Sequence, residues 1–508
     1  MSVAPEVPNR LPITISIMLA TTMNTLDTTI ANVALPHIQG SVQAGPEQIV
    51  WVLTSYIIAA AIMTPLTGWI AGRVGRKRLF LFSISGFVIA SMLCGIATSM
   101  PELVAYRLLQ GVCGAALMPL SQAVLLDINP PERHGQAMAI FGAGVILGPI
   151  LGPVVGGYLT EYLSWRWCFY INLPIGILSL IGVWLFIPGD PGGRSRPFDF
   201  LGFGTLALFI GAFQLMLDRG PGEDWFYSTE IWIEAVLALI GLWIFAIHTM
   251  TAEHPFVERA LFRDHNFRIG TLFGFFVGIL LYSAMALLPP LMQNLLGYPV
   301  LTAGIVSMPR GIGSFLGMIV VGRLIGRVDT RVLLLLGLGL SAVAFWQMQA
   351  FDLSMPTTPL VVSGLLQGFG IGMIFVPLST LAFATVSPQL RAEAAAVNTL
   401  VRNIGSSVGI SIMQAMVVAN SQTMHSSLVA HVVPSDPVVA DGLDRLSSFF
   451  GSFGLPMLNA EITRQATMVA YVDAFRLMLF IAIACMPVVF FLRPPRPTPG
   501  VPARAQVE

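Results

Sequence analysis

The sequence predicts an all-α membrane protein whose chain crosses the bilayer fourteen times, in two repeated halves. Of its 508 residues, 55% are hydrophobic and only 10% are charged, whereas soluble domains carry roughly 25% charged residues. Apolar segments of the length that a bilayer requires, about 20 residues, recur along the chain. Short polar motifs recur in its two halves as well. Composition, segment length and internal repetition therefore agree on a polytopic helical bundle.

Fourteen segments are long and apolar enough to be spans, and polar or Gly- and Pro-containing stretches separate them. Their predicted bounds are Ile13–Leu35, Ile49–Ile70, Leu79–Thr98, Leu103–Leu126, Ala137–Leu159, Cys168–Ile187, Leu201–Leu217, Ile231–His248, Ile269–Pro289, Ala303–Leu324, Val332–Phe351, Leu360–Thr385, Ala394–Ala419 and Ala474–Leu492.

An even number of spans places both termini on one side of the membrane, and the basic residues identify that side. Of the 26 Lys and Arg residues, only Arg166, Arg219, Arg445 and Arg464 fall in the loops of the opposite side. Cytoplasmic loops carry the excess of Lys and Arg. Both termini are therefore predicted to be cytoplasmic. The near-absence of Lys favours a GC-rich, bacterial source and hence the bacterial cytoplasmic membrane.

Two motifs occur once in each half. The loop after the second span, 68–78, resembles the loop after the tenth, 322–331, and the fourth span carries Leu-Leu-Gln-Gly at 108–111 where the twelfth carries it at 365–368. The repetition divides the chain into a six-helix bundle (1–190), two inserted helices (191–267) and a second six-helix bundle (268–508).

The second bundle contains a long outer loop, residues 420–473, within which an amphipathic helix is predicted near Met457–Ala470. At the outer end of the last span, Asp473 and Arg476 are predicted to pair. Parallel repeats with a binding site at their interface are a transporter architecture.

The fifth span is unusually rich in glycine and proline. Gly costs about 1 kcal/mol and Pro about 3 kcal/mol relative to Ala in a helix interior, but a membrane tolerates both because neighbouring helices satisfy the freed backbone groups. Its small residues and prolines are Gly144, Gly148, Pro149, Gly152, Pro153, Gly156 and Gly157. Glycines four residues apart share one face. One interpretation is close helix packing alone, and the other is a hinge that lets this helix rock against a neighbour.

Asp27 lies about halfway along the first span, where an ionisable group costs about 2.5–3.5 kcal/mol on insertion scales. Burial favours its neutral form and a nearby cation favours its ionised form, so a carboxylate poised between the two effects can load and release a proton. Asp27 is therefore the predicted proton-coupling residue. The alternative is that it is the structural partner of a buried arginine.

Arg107 lies one turn into the fourth span and cannot carry the proton, because arginine stays charged. It can tune a carboxylate, with Gln110 on the same helix face; an orientation role alone is the alternative. Arg310 and Arg402 lie in the tenth and thirteenth spans, where backbone carbonyls would suffice as acceptors. The remaining polar side chains predicted for a transport path are Asn24, Thr28, Asn32 and Gln122.

A mainly apolar central pocket is predicted, and facing directions along the helices suggest its lining residues. Met and aromatic side chains suit such a pocket because they repack around substrates of different shapes. The assigned residues are Met23, Tyr56, Met118, Phe141, Tyr282, Met285, Gln293, Phe375 and Met413.

Several classes of function lack support. The net charge is zero, so there is no nucleic-acid footprint. The seven His residues include no pair four residues apart on one face, so no metal site is predicted. No phosphate-binding loop Gly-x-x-x-x-Gly-Lys-Ser/Thr occurs, which argues against coupling to ATP. No nucleophile–base constellation suggests an enzyme.

These motifs resemble those of the major facilitator superfamily, and in particular its fourteen-span drug:proton antiporters of the EmrB/QacA type. The similarity covers nearly the whole chain. The stretches that carry it are 26–36 in the first span, Arg107 with Gln110 and Gly111, 144–157 in the fifth span, 165–176 before the sixth, 402–409 in the thirteenth and 462–475 before the last.

The loop after the second span departs from the superfamily pattern. Members usually have an acidic residue where this chain has Gly72, and that residue helps to latch the inner gate. The latch is expected to be weaker here or to use another carboxylate, such as Asp127 or Glu132. The predicted gate loop comprises Gly68, Arg73, Gly75, Arg76 and Lys77, with Asp329 in the second half.

The resemblance implies a proton-coupled exporter of hydrophobic or cationic compounds that works by alternating access, needs no cofactor beyond the proton-motive force, and sits in the inner membrane. It also implies a periplasmic adaptor and an outer-membrane channel as partners. Two alternatives remain open: transport of one dedicated metabolite, such as a siderophore or a lipid intermediate, and a non-transporting membrane scaffold or sensor.

Overall fold

The computed structural model describes residues 9–130, 133–189, 197–432, 439, 441–442 and 453–493. Within them the chain forms long helices, joined by turns and one isolated bridge between Ile325 and Val328. Glu132, one of the two carboxylates considered for the latch, lies outside the described residues.

Among the described residues, fourteen long helical segments follow one another, and we number them α1–α14. They are α1 (Arg10–Ser41), α2 (Trp51–Met63 and Leu66–Val74, bent by 57°), α3 (Arg76–Ile96), α4 (Met100–Ile128), α5 (His134–Tyr162), α6 (Trp167–Phe186), α7 (Phe200–Arg219), α8 (Thr229–Thr251), α9 (His265–Leu295), α10 (Val300–Leu324), α11 (Thr330–Met348), α12 (Thr357–Phe383), α13 (Arg391–His431) and α14 (Gly454–Cys485).

Twelve of these segments, α3–α14, are individually long and apolar enough to cross a membrane, and the bent α2 makes a thirteenth. Helix α1 is 32 residues long but is not among them, since its sequence includes Asn24, Asp27 and several threonines. The polarity of α1 suits a helix enclosed by other helices rather than by lipid. The count of fourteen spans therefore remains a prediction that depends on α1.

One predicted loop needs correction. The predicted loop 420–473 is helical at both ends, because α13 continues to His431 and α14 begins at Gly454. The helix predicted near Met457–Ala470 lies within α14. Hydroxyls of Ser421 and Thr467 lie 2.8 Å apart, so the two helices extend as an antiparallel pair. The domain boundary at 267/268 stays a prediction, and helix α9 begins close to it at His265. A hydropathy minimum marks the end of the lipid-facing run, and helices continue past it.

In the first half, α1 packs between α5 and α6, and α4 packs against α2 and α3. In the second half, α9 packs against α13, α10 against α12, and α14 against α11 and α13. The two halves meet where α5 runs along α10, and where the inner parts of α2 and α4 contact α13. The inserted α7 pairs with α8 and touches α2 and α13.

Helix α5 runs unbroken through Pro149 and Pro153, and its glycine face lies on α1. A Cβ on Gly148 would lie 2.4 Å from the carbonyl carbon of Thr25. The hydroxyl of Thr29 donates to the Gly148 carbonyl at 3.1 Å. Close packing is therefore what the glycines provide here. A hinge role for the prolines stays a proposal.

Replacing Gly148 with alanine should destabilise the protein by about 1–3 kcal/mol, because the new methyl group would overlap backbone atoms of α1. The matched control is Gly157→Ala, since a Cβ there has no neighbour within 4 Å. It should be neutral or stabilising by up to about 1 kcal/mol. Thermal unfolding of the purified variants in detergent measures both. Equal effects of the two substitutions would contradict this account of the α1–α5 contact.

Candidate functional site

Asp27 lies inside the first half, where its carboxylate accepts three hydrogen bonds from α4 and α6. Arg107 Nη1 donates to Oδ2 at 2.7 Å, Gln110 Nε2 donates to Oδ1 at 2.8 Å, and Asn172 Nδ2 donates to Oδ1 at 2.7 Å. The side chains of Asp27 and Arg107 are both 0% exposed. All three partners are donors, so the carboxylate acts only as an acceptor in these contacts.

Arg107 is held by more than its ion pair. Its Nε donates to the carbonyl of Val52 at 2.9 Å, and Nη1 also donates to Gln110 Oε1 at 2.8 Å. The guanidinium lies 4.4 Å from the centroid of the Tyr56 ring and 5.7 Å from that of Phe169. This combination of donors and aromatic faces fixes the orientation of the cation in a low-dielectric site.

A second layer of polar groups positions the first. Ser91 accepts from Asn172 Nδ2 at 2.9 Å and donates to the Phe169 carbonyl at 2.9 Å. Asn24 donates to the Tyr56 hydroxyl at 2.9 Å. Asn172 was not singled out from the sequence as a functional residue, although it belongs to the 165–176 stretch. An amide at the start of an otherwise apolar span is the signal that could have found it.

The structure brings only some of the predicted path residues together. Asn24 belongs to the second layer around Asp27, whereas Thr28 bonds its own helix at the Thr25 carbonyl. Asn32 is exposed further along α1. Gln122 is buried in α4, with Nε2 3.7 Å from Met138 Sδ. Arg310 and Arg402 lie in the other half of the molecule, away from Asp27.

The two halves are joined by ion pairs at the end of the bundle that carries the α2–α3 loop, which we call the gate end. Asp127, at the end of α4, pairs with Arg76 at the start of α3. It also pairs with Arg391, at the start of α13, at 2.8 Å. Arg76 donates to the Pro388 carbonyl at 3.0 Å. Asp127 thus links the two halves in this protein, which has Gly72 where related loops usually have an acidic residue.

The predicted gate loop has divided roles. Gly68 lies so close to α13 that a Cβ would be 2.7 Å from Glu393 Cα. A Cβ on its repeat counterpart, Gly322, would lie 3.4 Å from Ala139 Cβ of α5. Both glycines therefore lie at crossings between the halves. Gly75 has φ 93°, which favours glycine.

Of the charged residues in the predicted gate, Arg73 stacks over Trp69 at 5.4 Å. Lys77 donates to the Trp184 carbonyl at 2.7 Å within the first half. Asp329 accepts from the Arg331 amide at 2.9 Å and caps α11. The predicted outer pair of Asp473 and Arg476 is confirmed at 3.2 Å.

A two-part helical membrane bundle, with a buried charge network in one part and an ion-pair latch between the parts, defines a multi-pass transport protein. Residues 17–410 match the sequence profile of the Major Facilitator Superfamily. The chain is 34% identical to the multidrug export protein EmrB of Escherichia coli K12 over 95% of both chains. It is also 34% identical to the fatty acid resistance protein FarB of Neisseria gonorrhoeae, over 95% of this chain and 96% of FarB.

Among solved structures, the human organic anion transporter MFSD10 (TETRAN) superposes with a TM-score of 0.59, covering 94% of this chain and 99% of that one. At 16% identity, this likeness concerns the fold alone. The chain belongs to the major facilitator superfamily, in the branch that contains EmrB.

Truncating either member of the buried pair, by Asp27→Ala or Arg107→Ala, should cost about 3–5 kcal/mol because the other charge is left unpaired. The double variant should cost clearly less than the sum of the two, since it leaves no orphan charge. Free energies of unfolding of the wild type, the two single variants and the double variant, measured in mixed micelles, complete this double-mutant cycle. Additive effects would show that the two side chains do not support each other.

The substitution Asp127→Asn should weaken the closed gate end by removing both ion pairs. Partly exposed pairs contribute up to about 1 kcal/mol, which corresponds to about a fivefold change in the ratio of open to closed molecules. The measurement is double electron–electron resonance between spin labels at Arg78→Cys and Ser387→Cys, with the native cysteines replaced by alanine. The distance between the two labels reports how far the two halves are apart at the gate end.

Asp352→Asn is the control for the gate experiment, because that carboxylate accepts from Ser354 in an exposed turn away from the gate. These hydrogen bonds to Ser354 hold the pKa of Asp352 below its usual value. The label distances should not change in this variant. If they shift equally in both variants, the latch at Asp127 is not what closes the gate.

Proposed function

We propose that this protein is a proton-coupled multidrug efflux transporter that works by alternating access. The observation that carries the proposal is the fully buried carboxylate of α1, held by Arg107 and by amide donors from α4 and α6. The names of relatives at 34% identity, a multidrug export protein and a fatty acid resistance protein, support export of small lipophilic compounds.

Proton uptake by Asp27 would be tied to a change of conformation. Neutralising the carboxylate leaves Arg107 as an uncompensated buried charge, at a cost of about 3–5 kcal/mol. A proton on Asp27 would therefore leave a buried cation without its counter-ion in the arrangement seen here. A conformation that admits water to Arg107 would accept the proton more easily, and proton binding would shift the population toward it.

Most Lys and Arg residues lie in the loops on the same side as the termini and the gate end. This excess supports a cytoplasmic position for both. In a bacterial inner membrane, the extended pair formed by the ends of α13 and α14 would then face the periplasm. A periplasmic adaptor leading to an outer-membrane channel would meet that face. The driving force is the proton-motive force, in which each charge that crosses is worth about 2.3 kcal/mol per 100 mV.

The decisive test uses proteoliposomes with an imposed pH gradient and two probes, ethidium and dodecanoate. The wild-type protein should accumulate at least one probe against its gradient. Asp27→Asn should abolish this accumulation while retaining exchange of labelled for unlabelled probe without a gradient, because the site survives and only the coupling is lost. Accumulation by Asp27→Asn at the wild-type rate would overturn the assignment of Asp27.

Asp473→Asn is the control for coupling, since Asp473 lies in α14, outside the network around Asp27, and pairs with the exposed Arg476. Its accumulation rate should equal that of the wild type. Failure of the wild-type protein with both probes would argue against the transporter itself and favour a scaffold or sensor.

A further inference from the structure

The second half contains two arginines inside its helices whose donors are largely unused. Arg310 of α10 donates through Nη2 to the carbonyl of Leu281 at 2.7 Å. Arg402 of α13 is 5% exposed, its Nε is buried without a partner, and its guanidinium donates to none of the described residues. A buried guanidinium ordinarily spends its five N–H groups on acceptors.

The buried amide of Gln367 shows the same deficit. Gln367 occupies the place in α12 that Gln110 occupies in α4, where both amide atoms are bonded. Neither the Oε1 nor the Nε2 of Gln367 has a partner among the described residues. In the first half, Gln110 and Arg107 both bond to the carboxylate of Asp27, although Arg107 Nη2 is buried without a partner. In the second half, no described carboxylate bonds to Gln367 or Arg402.

No carboxylate of the described residues lies within ion-pair distance of Arg310 or Arg402. Asp27 is engaged by Arg107, and Glu234 is engaged by Arg219 at 2.9 Å. The first half therefore carries a neutral pair, while the second half carries two positive charges without a counter-ion.

Asp218, the remaining carboxylate near this region, accepts from Gln214 at 2.9 Å near the end of α7. Its neighbour Leu217 contacts Ser411, which lies more than two helical turns along α13 from Arg402. Asp218 is therefore not placed to neutralise Arg402.

Aromatic rings flank the unpaired charge at the junction of the two halves. The guanidinium of Arg402 lies 5.5 Å from the centroid of the Phe375 ring, and the Tyr282 phenol is within electrostatic reach. Phe375 stacks on Phe141 of α5, with centroids 6.3 Å apart. Both arginines meet the same part of α9, since Arg310 donates to the Leu281 carbonyl and a Cβ on Gly278 would lie 2.4 Å from the carbonyl oxygen of Arg402. A ligand here would meet positive charge beside an apolar aromatic surface.

We propose that Arg310 and Arg402 bind the charged group of a lipophilic monoanion, such as a carboxylate on an alkyl chain, at the junction of the two halves. The inference rests on the proposed transport function and names its substrate class. A planar guanidinium matches a carboxylate with two parallel hydrogen bonds. A cationic compound would instead add a third positive charge to a site that has no counter-ion. The site therefore selects anionic amphiphiles over the cations expected from the family resemblance.

The test compares two probes with the same alkyl chain, dodecanoate and dodecyltrimethylammonium, at a pH where the carboxylate is ionised. Binding is measured by calorimetry on the full-length protein in phosphatidylcholine nanodiscs. The wild type should bind dodecanoate at least about 10-fold more tightly than the ammonium probe. Losing a charge-assisted hydrogen bond corresponds to about 10–100-fold in affinity, so Arg402→Gln and Arg310→Gln should each weaken dodecanoate binding by that factor.

Two further variants and two further measurements distinguish loss of the anion site from loss of the fold. Arg402→Lys keeps the charge and should retain most of the affinity. Arg476→Gln removes a half-exposed arginine of α14 that pairs with Asp473 and should not change the affinity for dodecanoate. Unfolding midpoints show which variants fold. Binding of the ammonium probe should be equal or tighter in Arg402→Gln, an effect that a general loss of structure would not produce.

Unchanged dodecanoate binding in folded Arg402→Gln, or tighter binding of the ammonium probe by the wild type, would overturn the proposal. The proteoliposome assay distinguishes failure of this proposal from failure of the proposed transport function. If the protein accumulates ethidium but not dodecanoate, only the anion site is refuted. Nanodiscs that contain phosphatidylglycerol identify the source of the anion. Competition with dodecanoate would indicate that a lipid headgroup also occupies the site, and no competition would indicate a soluble anion.

Discussion

The ion pair between Asp27 and Arg107 is the interaction on which the first half depends. Two charges in a low-dielectric interior are tolerated only when geometry is good and the remaining donors and acceptors are satisfied. The carboxylate has three donors, and the guanidinium has a backbone carbonyl and an aromatic face besides. Because those groups come from α2, α4 and α6, the pair ties the polar α1 to three neighbours. The glycine face of α5 closes the remaining side of α1.

The sequence identifies this pair well and its surroundings less well. An Asp and an Arg inside apolar runs are conspicuous, so Asp27, Arg107 and Gln110 could be found without coordinates. Asn172 could not be assigned a partner, because its distance from Asp27 along the chain hides their contact. Arg391 was missed for the same reason: it reaches Asp127 only after the two halves fold together. Pairwise geometry between distant helices is the information that a single sequence lacks.

The fold shows the same division. Periodicity and length located the helices, and the repeated motifs located the two halves, because both are local properties of the chain. Residues 420–473 were predicted as a loop with one amphipathic helix because they are polar, yet α13 continues to His431 and α14 begins at Gly454. Polarity marks where a helix leaves lipid, whereas capping and packing decide where it ends. The repeated glycines at 68 and 322 acquire their meaning only from the structure, where each meets a helix of the other half.

The inserted helix α7 has a consequence for how lipid and solutes reach the centre. A bundle of two halves has two lateral seams. One is closed by α5 lying along α10. Helix α7 covers the other: a Cβ on Gly211 would lie 3.5 Å from Ile62 of α2, and the Leu217 carbonyl accepts from Ser411 of α13 at 2.8 Å. In this arrangement helices cover both seams, so lipid acyl chains have no open lateral route to the interior. A compound dissolved in the bilayer would have to enter from one of the two aqueous sides, or after one of these helix contacts separates.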